Sequence, residues 1–399
     1  MPHSEIITVL DLGTSKTRCV MAEVDGKGKC SVIGFGGAVS QGVSRGKVVD
    51  PAKASASFRE AVSRAESVSG RRAERFHLGV AGGNVKSHNA VSAAEFMGGD
   101  GRVISEADKF EAMHALAERD LPEDRKILHA VARDYFLDGI RVPEPAGRRG
   151  KILEIDAHVV TASAEAVSNA MECARLGGAR GETVLVNTTL AAAEASLFPE
   201  EMESGAALLE MGAGCTGLIV FSGGVPALTG VLTFGGANFT RDLSQRLGLS
   251  LAEAEDLKII EGLTPAPMPS SPEKGAGGAG KAGDSWRRAH ALRARATEIL
   301  SVCRQEMVGN GLLNKVGSIV LTGGCAMFKG LTELAAEIFA LPVRVGRPLA
   351  GSVPAGMVPS PGFSAAAGLI LLAMKWTRPR DGSPGMKFPA GASRGGYHA

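Results

Sequence analysis

Apolar residues recur along this chain in two rhythms. Ile6–Leu10 is a short apolar run, followed by the polar turn Asp11-Leu-Gly-Thr-Ser-Lys16, a β-type run over Thr17–Val24 and, after a glycine-rich break, another over Cys30–Phe35. Short β-branched runs broken by Gly and polar residues predict strand, tight turn, strand, turn, strand. The helical rhythm appears at Ala52–Ser67, where Phe58, Ala61, Val62 and Ala65 share a face. Phe76–Val80 is again a strand. From about Asn84 to Asp156 the pattern changes to short strands around one helix, Ser105–Arg119, with Ser105 and Asp108 suited to its N-terminal cap. A Pro-, Gly- and Arg-rich loop, Val142–Gly150, closes this stretch, which has the character of an inserted module. His158–Ser163 resumes the strand pattern. Ala164–Leu176 is a helix ended by Gly177-Gly178, and Thr188–Phe198 is a helix of small residues.

The opening pattern then returns about 200 residues later as Ala207–Met211, a glycine turn, Leu218–Phe221, Gly223-Gly224 and Val225–Leu232. Such a repeat predicts two related α/β lobes. Ser250–Glu261 is a capped helix, Thr264–Asp284 a mobile loop rich in Pro, Gly and Ala, and Ser285–Val308 a long helix. Ser318–Leu321 is a strand entering Thr322-Gly-Gly-Cys-Ala-Met-Phe-Lys-Gly330 before a helix at Leu331, and Gly362–Trp376 is a final apolar helix.

The segment LLEMGAGCTGLIVFSGG (208–224) contains a literal G-x-G-x-x-G in Gly212, Gly214 and Gly217. A dinucleotide fingerprint needs a helix after those glycines. Here Leu218–Phe221 and a Gly-Gly turn follow, so the motif belongs to a β-hairpin and the Rossmann reading is rejected.

Composition narrows the picture. The net charge is +2 and aromatic residues are 5% of the chain, which gives no bulk electrostatic argument for nucleic acid. The 53 glycines make any single glycine motif weak on its own. The six cysteines are scattered without a C-x-x-C pair, the usage of a reducing cytosol. The polar start Met1-Pro-His-Ser-Glu5 and an apolar maximum at Phe363–Met374, shorter than the ~20 residues of a membrane span, predict a soluble intracellular protein. Three glycine loops together say more than each alone. Two hairpin loops, one per lobe, can face each other as anion nests, and a third opens a helix N-terminus. Asp11, Thr14, Ser15 and Lys16 add a carboxylate for water-bound magnesium, hydroxyls, and a cation for phosphate.

The segments VLDLGTSK (9–16), LLEMGAGCTG (208–217), AEAEDLKIIEG (252–262) and VLTGGCAMFKGL (320–331) lie in the order and spacing of the actin/Hsp70/sugar-kinase superfamily. Within it the chain resembles the bacterial cell-division actin homologues of the FtsA family. The resemblance covers roughly residues 5–376 and includes ILHAVARDYFLDG (127–139), the HVVTAS strand and the placement of the inserted module.

That resemblance implies an α/β actin-like ATPase fold, with two RNase H-like lobes around ATP and magnesium and an FtsA-type inserted subdomain. Residues 1–83, 157–198 and 360–377 would form the first lobe and 84–156 the insertion. Residues 199–249 and 310–359 would form the second lobe, 250–309 its outer subdomain, and 378–399 a disordered tail. Gly13, Thr14, Ser15 and Lys16 would take the first phosphate loop, with Asp11 toward the metal. Gly212, Ala213, Gly214, Cys215 and Thr216 would take the second. Glu255 and Lys258 would contact ribose and base, with Lys258 also in reach of phosphate. Gly323, Gly324 and Phe328 would line the adenosine loop.

The chain departs from its relatives in ways that bear on activity. The second loop begins with Glu210 where many relatives have Asp, its closing Asp is replaced by Gly217, and Thr188 and Thr189 stand where an acid or amide is common. Glu210 is thus the sole candidate for a catalytic or second metal carboxylate, and ATP binding with slow or absent hydrolysis is expected. The resemblance also implies self-association into filaments, the acidic FtsZ C-terminal tail and other division proteins as partners, and a place at the inner face of the membrane at the division site. Arg287, Arg288, Arg293 and Arg295 form a candidate cationic face for that tail. The chain's own tail (378–399) lacks an apolar helical face, so membrane contact is expected to be weak or through a partner. The other readings are an actin-like pilus-assembly platform protein and a small-molecule kinase of the same superfamily.

Overall fold

The two lobes repeat one strand order. In the computed structural model, which describes residues 5–96, 101–263, 278–350 and 354–377, each lobe is built on a five-stranded mixed sheet. The first runs Thr183–Asn187, Phe76–Val80, Glu5–Leu12, Lys16–Val24, Cys30–Val39. The second runs Val343–Val345, Ser318–Thr322, Ala206–Met211, Thr216–Ser222, Val225–Leu232. In both, the first strand in the chain pairs antiparallel with the second and parallel with the fourth. The duplication read from the sequence is therefore a duplication of topology. The segment after Gly217 is a strand, as its β-branched and aromatic run requires.

Helix Pro51–Ser69 shows how local sequence fixes an element. Asp50 accepts a bond from the Lys53 amide at the N-terminus, Pro51 sits at the first helical position, and Gly70 ends the helix at φ 64°. Its apolar stripe buries Phe58, Ala61 and Ala65 against the first sheet. Ser105 and Asp108 form the expected reciprocal cap of helix Glu106–Glu118.

Several expectations change. Helix Gly278–Gly309 begins before Ser285, inside the expected loop, while residues 264–277 of that loop lie outside the described residues, as does the 378–399 tail. The helix expected over Thr188–Phe198 stops at Ser196, and Pro199 starts a separate helix, Pro199–Ser204. Helix Gly236–Leu247 is an element not anticipated, although Phe239, Leu243 and Leu247 are four residues apart along it. Strand Ile152–Ser163 starts six residues ahead of its expected start at His158 and pairs with Arg125–Leu137 and Lys86–Glu95. With Ile140–Val142 these make a four-stranded sheet carrying its own apolar core under helix Glu106–Glu118.

Two helices run between the lobes. Thr188–Ser196 packs one face on the second sheet through Ala192 and Ala193, and turns Ala191 toward helix Ser364–Thr377 and the first sheet. The inserted sheet is also tied to the second lobe. Buried His158 bonds Asn89 at 2.7 Å and the Thr229 hydroxyl at 2.9 Å, and the Thr229 amide donates to Ser87. Burial and the Arg133 charge push the His158 imidazole down to about 3, so it is neutral at physiological pH.

Candidate functional site

The glycine loops converge on one cavity of about 300 Å³ between the lobes. Asp11, Gly13, Thr14, Ser15 and Lys16 line it from the first lobe, and Glu210, Gly212, Ala213, Gly214 and Cys215 from the second. Glu255, Lys258, Gly323, Gly324 and Phe328 line its far end. Of the residues singled out from the sequence, Thr216 alone is absent from the lining: it is fully buried and its hydroxyl donates to the Phe234 carbonyl at 2.8 Å. It orients the hairpin instead of facing the cavity.

The two hairpin loops touch. A Cβ on Gly214 of the second loop would overlap the Thr14 hydroxyl of the first, which accepts from the Gly46 amide of its own lobe at 2.9 Å. Only a residue without a side chain lets the second loop approach the first so closely. Around Gly324 a Cβ would meet nothing within 4 Å, so the third loop leaves open space beside its backbone.

The acids sit in two different settings. Asp11 is paired with Arg18 at 3.4 Å across the hairpin, yet burial still raises its carboxyl above the usual range. Glu210 accepts from the hydroxyls of Thr188 and Thr189, each at 3.1 Å. Burial, reinforced by the nearby Asp11 charge, pushes it up to about 7. The threonines that replace an acid or amide thus hold this carboxylate at the start of the crossing helix, whose N-cap is Asn187. The missing acid at 217 has a steric cause as well, because a Cβ there would overlap Thr189.

Lys258 differs from its expected role. Its ammonium donates to Glu255 at 2.5 Å, to the Thr240 hydroxyl at 3.0 Å and to the Gly236 carbonyl at 3.3 Å. An ammonium has three protons, so Lys258 is saturated inside the protein and fixes Glu255 for a ligand. We expect Lys258→Met to cost about 1 kcal/mol, seen as a lower melting temperature, by leaving the Thr240 hydroxyl oxygen without its donor and Glu255 without its cation, while the Gly236 carbonyl keeps the Thr240 hydroxyl. Sequence reasoning also missed Arg18, Gly236 and the Pro361-Gly362 turn, all on the lining. Arg18 was within reach, since a hairpin closing at Leu12 and Thr17 sets Asp11 opposite Arg18.

The candidate cationic face is largely neutralised. Arg288 pairs with Glu261, Arg293 with Glu337, and Arg295 with Asp242 and Glu298, each at 2.5 to 2.6 Å. The Arg287 side chain lies outside the described residues.

Comparison with known proteins places this arrangement. The model of the SHS2 domain inserted in FtsA matches residues 82–161, and that of cell division protein FtsA matches 207–368. The cell division protein FtsA of Neisseria meningitidis is 32% identical over 92% of this chain and 90% of its own length. The chain belongs to the FtsA family. The FtsA of Bacillus subtilis is 28% identical over 98% of this chain and 88% of its own length. Among solved structures, a PilM–PilN type IV pilus biogenesis complex superposes with a TM-score of 0.67 at 19% identity, covering 92% of this chain and 98% of that one. The ethanolamine utilization protein EutJ of Carboxydothermus hydrogenoformans gives 0.52 at 16% identity over 93% and 90%. These likenesses agree on the actin-like fold, and the inserted SHS2 module is the FtsA feature. Among the described residues, no helix is long and apolar enough to cross a membrane.

Proposed function

We propose that this FtsA-family chain is an ATP-loaded adaptor of the division machinery, polymerising and linking the FtsZ ring to the inner face of the membrane at the septum. The observation that carries the nucleotide part is the cavity: facing glycine loops from two topologically equal lobes, with Asp11 from one and Glu210 from the other, and Lys16 exposed on its lining. The residues fit a magnesium-bound triphosphate. Backbone amides at glycine turns form anion nests, and paired carboxylates suit a water-bound divalent cation. ATP with magnesium would supply a rigid polyanion that joins the lobes.

Hydrolysis is expected to be slow. Glu210 is tied to two threonine hydroxyls and is pushed up to about 7, and position 217 has no side chain, so few groups remain to orient a water. A kinase reading is disfavoured for the same want of a free base. The pilus-platform reading shares the fold, but the inserted module and the curated relatives favour division.

The test joins three measurements. Calorimetric titration is expected to show magnesium-dependent ATP binding, and single-turnover assays little cleavage. Co-sedimentation with FtsZ is expected only when FtsZ keeps its C-terminal peptide. No nucleotide binding at all, or brisk turnover surviving repurification, defeats the nucleotide reading; pelleting independent of the peptide defeats the partner reading.

A further inference from the structure

We propose that the inserted module is a clasp on the cleft: through Ser87, Asn89 and His158 it holds the second lobe against the first, and nucleotide leaves when the clasp opens. The inference rests on the proposed nucleotide site and deepens it by naming what gates that site.

The module belongs to the first lobe by chain connection and meets the second through side chains. Strand Phe76–Val80 of the first sheet leads into Lys86–Glu95, and Ile152–Ser163 returns to helix Ala164–Gly177, which packs in that lobe's core. Val225–Leu232 is the outer strand of the second sheet. Its inner neighbour, Thr216–Ser222, begins where the second glycine loop ends, and Leu232 and Val231 pair with Thr216 and Gly217. Val231 also lines the cavity. Whatever holds this outer strand therefore holds the second loop.

Hydrogen bonds cross from the module to that strand. The ladder pairs Val220 with Leu228 and Phe221 with Pro226, so Ala227 is an extra residue, a bulge that takes its backbone out of the ladder. The Ala227 carbonyl accepts from the Asn89 side-chain amide at 3.0 Å. With its nitrogen donating there, Asn89 offers its oxygen to His158 at 2.7 Å, which assigns the imidazole proton to Nδ1. Nε2 is then an acceptor, and it takes the Thr229 hydroxyl at 2.9 Å. The Thr229 amide in turn donates to the Ser87 hydroxyl at 2.8 Å. His158 and Thr229 are fully buried. Parting them strips a buried ring and a buried hydroxyl of their partners until water enters, so a half-open clasp is worse than a closed or a hydrated one.

The root of the module is fitted to the same interface. A Cβ on Gly83 would overlap the Thr233 methyl, just past the outer strand. A Cβ on Gly46 would overlap both the Cys215 sulfur of the second loop and the Gly82 amide nitrogen. Separation of the lobes thus parts Gly83 from Thr233, Gly82 from Cys215 and Ser87 from Thr229 in one movement. A ligand that favours the closed cleft favours the closed clasp by the same factor.

The experiment follows release of a fluorescent ATP analogue, with magnesium, from the full chain and from variants, beside melting curves. Thr229→Val and Asn89→Ala are each expected to speed release about fivefold or more, the effect of losing one buried hydrogen bond. Thr229→Ser keeps the hydroxyl and is expected to stay within about twofold of the parent. Arg119→Met is the control: it removes a bond to the Val91 carbonyl at 2.9 Å, on the same strand as Asn89 but inside the module, and is expected to leave release unchanged. In the parent, hydrogen exchange at the Thr229 amide is expected to slow when nucleotide binds. Lower melting temperatures with unchanged release mean a purely structural contact and overturn the proposal. So does equal acceleration in Arg119→Met, or exchange at Thr229 indifferent to nucleotide. If Thr229→Val melts below the assay temperature, Asn89→Ala decides. Failure of the parent protein to bind any nucleotide sinks the cleft reading itself, and is seen before any variant is compared.

Discussion

Glu210→Gln is expected to melt higher than the parent protein at pH 8 and at nearly the same temperature at pH 4. Burial raises the Glu210 carboxyl from about 4.5 to about 7 in the folded chain. Below the unfolded value the group is neutral in both states and contributes no difference. Between the two values the unfolded chain releases its proton while the folded chain keeps it, so stability falls as pH rises. Above the folded value the loss is complete. At about 1.4 kcal/mol per pH unit, the parent gives up about 3 kcal/mol by pH 8. Glutamine keeps an acceptor for Thr188 and Thr189 and removes the carboxyl whose ionisation burial and the Asp11 charge oppose. Melting curves across pH 4 to 8 check the sign, and a variant less stable than the parent at pH 8 would refute it. Under the proposed metal role, the same variant loses magnesium dependence in ATP titrations: the site keeps a destabilising carboxylate because its ligand needs one.

Gly368→Ala tests the joint between the lobes. Helix Ser364–Thr377 crosses Thr188–Ser196 so closely that a Cβ on Gly368 would overlap the Ala191 carbonyl oxygen. Alanine favours a helix over glycine by roughly 1 kcal/mol, so propensity alone predicts a gain. The overlap is with backbone, which no rotamer change relieves, and overpacking of this kind costs about 1–3 kcal/mol or more. The clash dominates because the helices must separate, dragging Thr188 and Thr189 away from Glu210. A net loss of about 2 kcal/mol is expected in chemical denaturation, with weaker nucleotide binding alongside. Gly309→Ala, at a helical glycine with nothing within 4 Å of the added carbon, is the control and is expected to be neutral or slightly stabilising. A Gly368→Ala protein as stable as the parent would show that the crossing can open without cost.

The sequence by itself determined the units. Turn glycines, alternating apolar runs and capping residues act within a few positions, so the paired hairpins and the helix capped by Ser105 and Asp108 were legible. The repeat of the hairpin pattern made two lobes and a shared cleft a prediction before any coordinate. Tertiary structure decided what each polar side chain is free to do. Lys258 looked available on its helix, but it is consumed by Glu255, Thr240 and Gly236, the last 22 residues away in the chain. Arg288, Arg293 and Arg295 looked like a docking face until carboxylates from other elements met them. Glu210 becomes hard to ionise because the meeting of the two lobes buries it beside Asp11, an effect that the hydroxyls brought by helix Thr188–Ser196 only partly offset. Secondary structure follows from local stereochemistry, whereas partners and charge states follow from burial, which depends on distant segments arriving together.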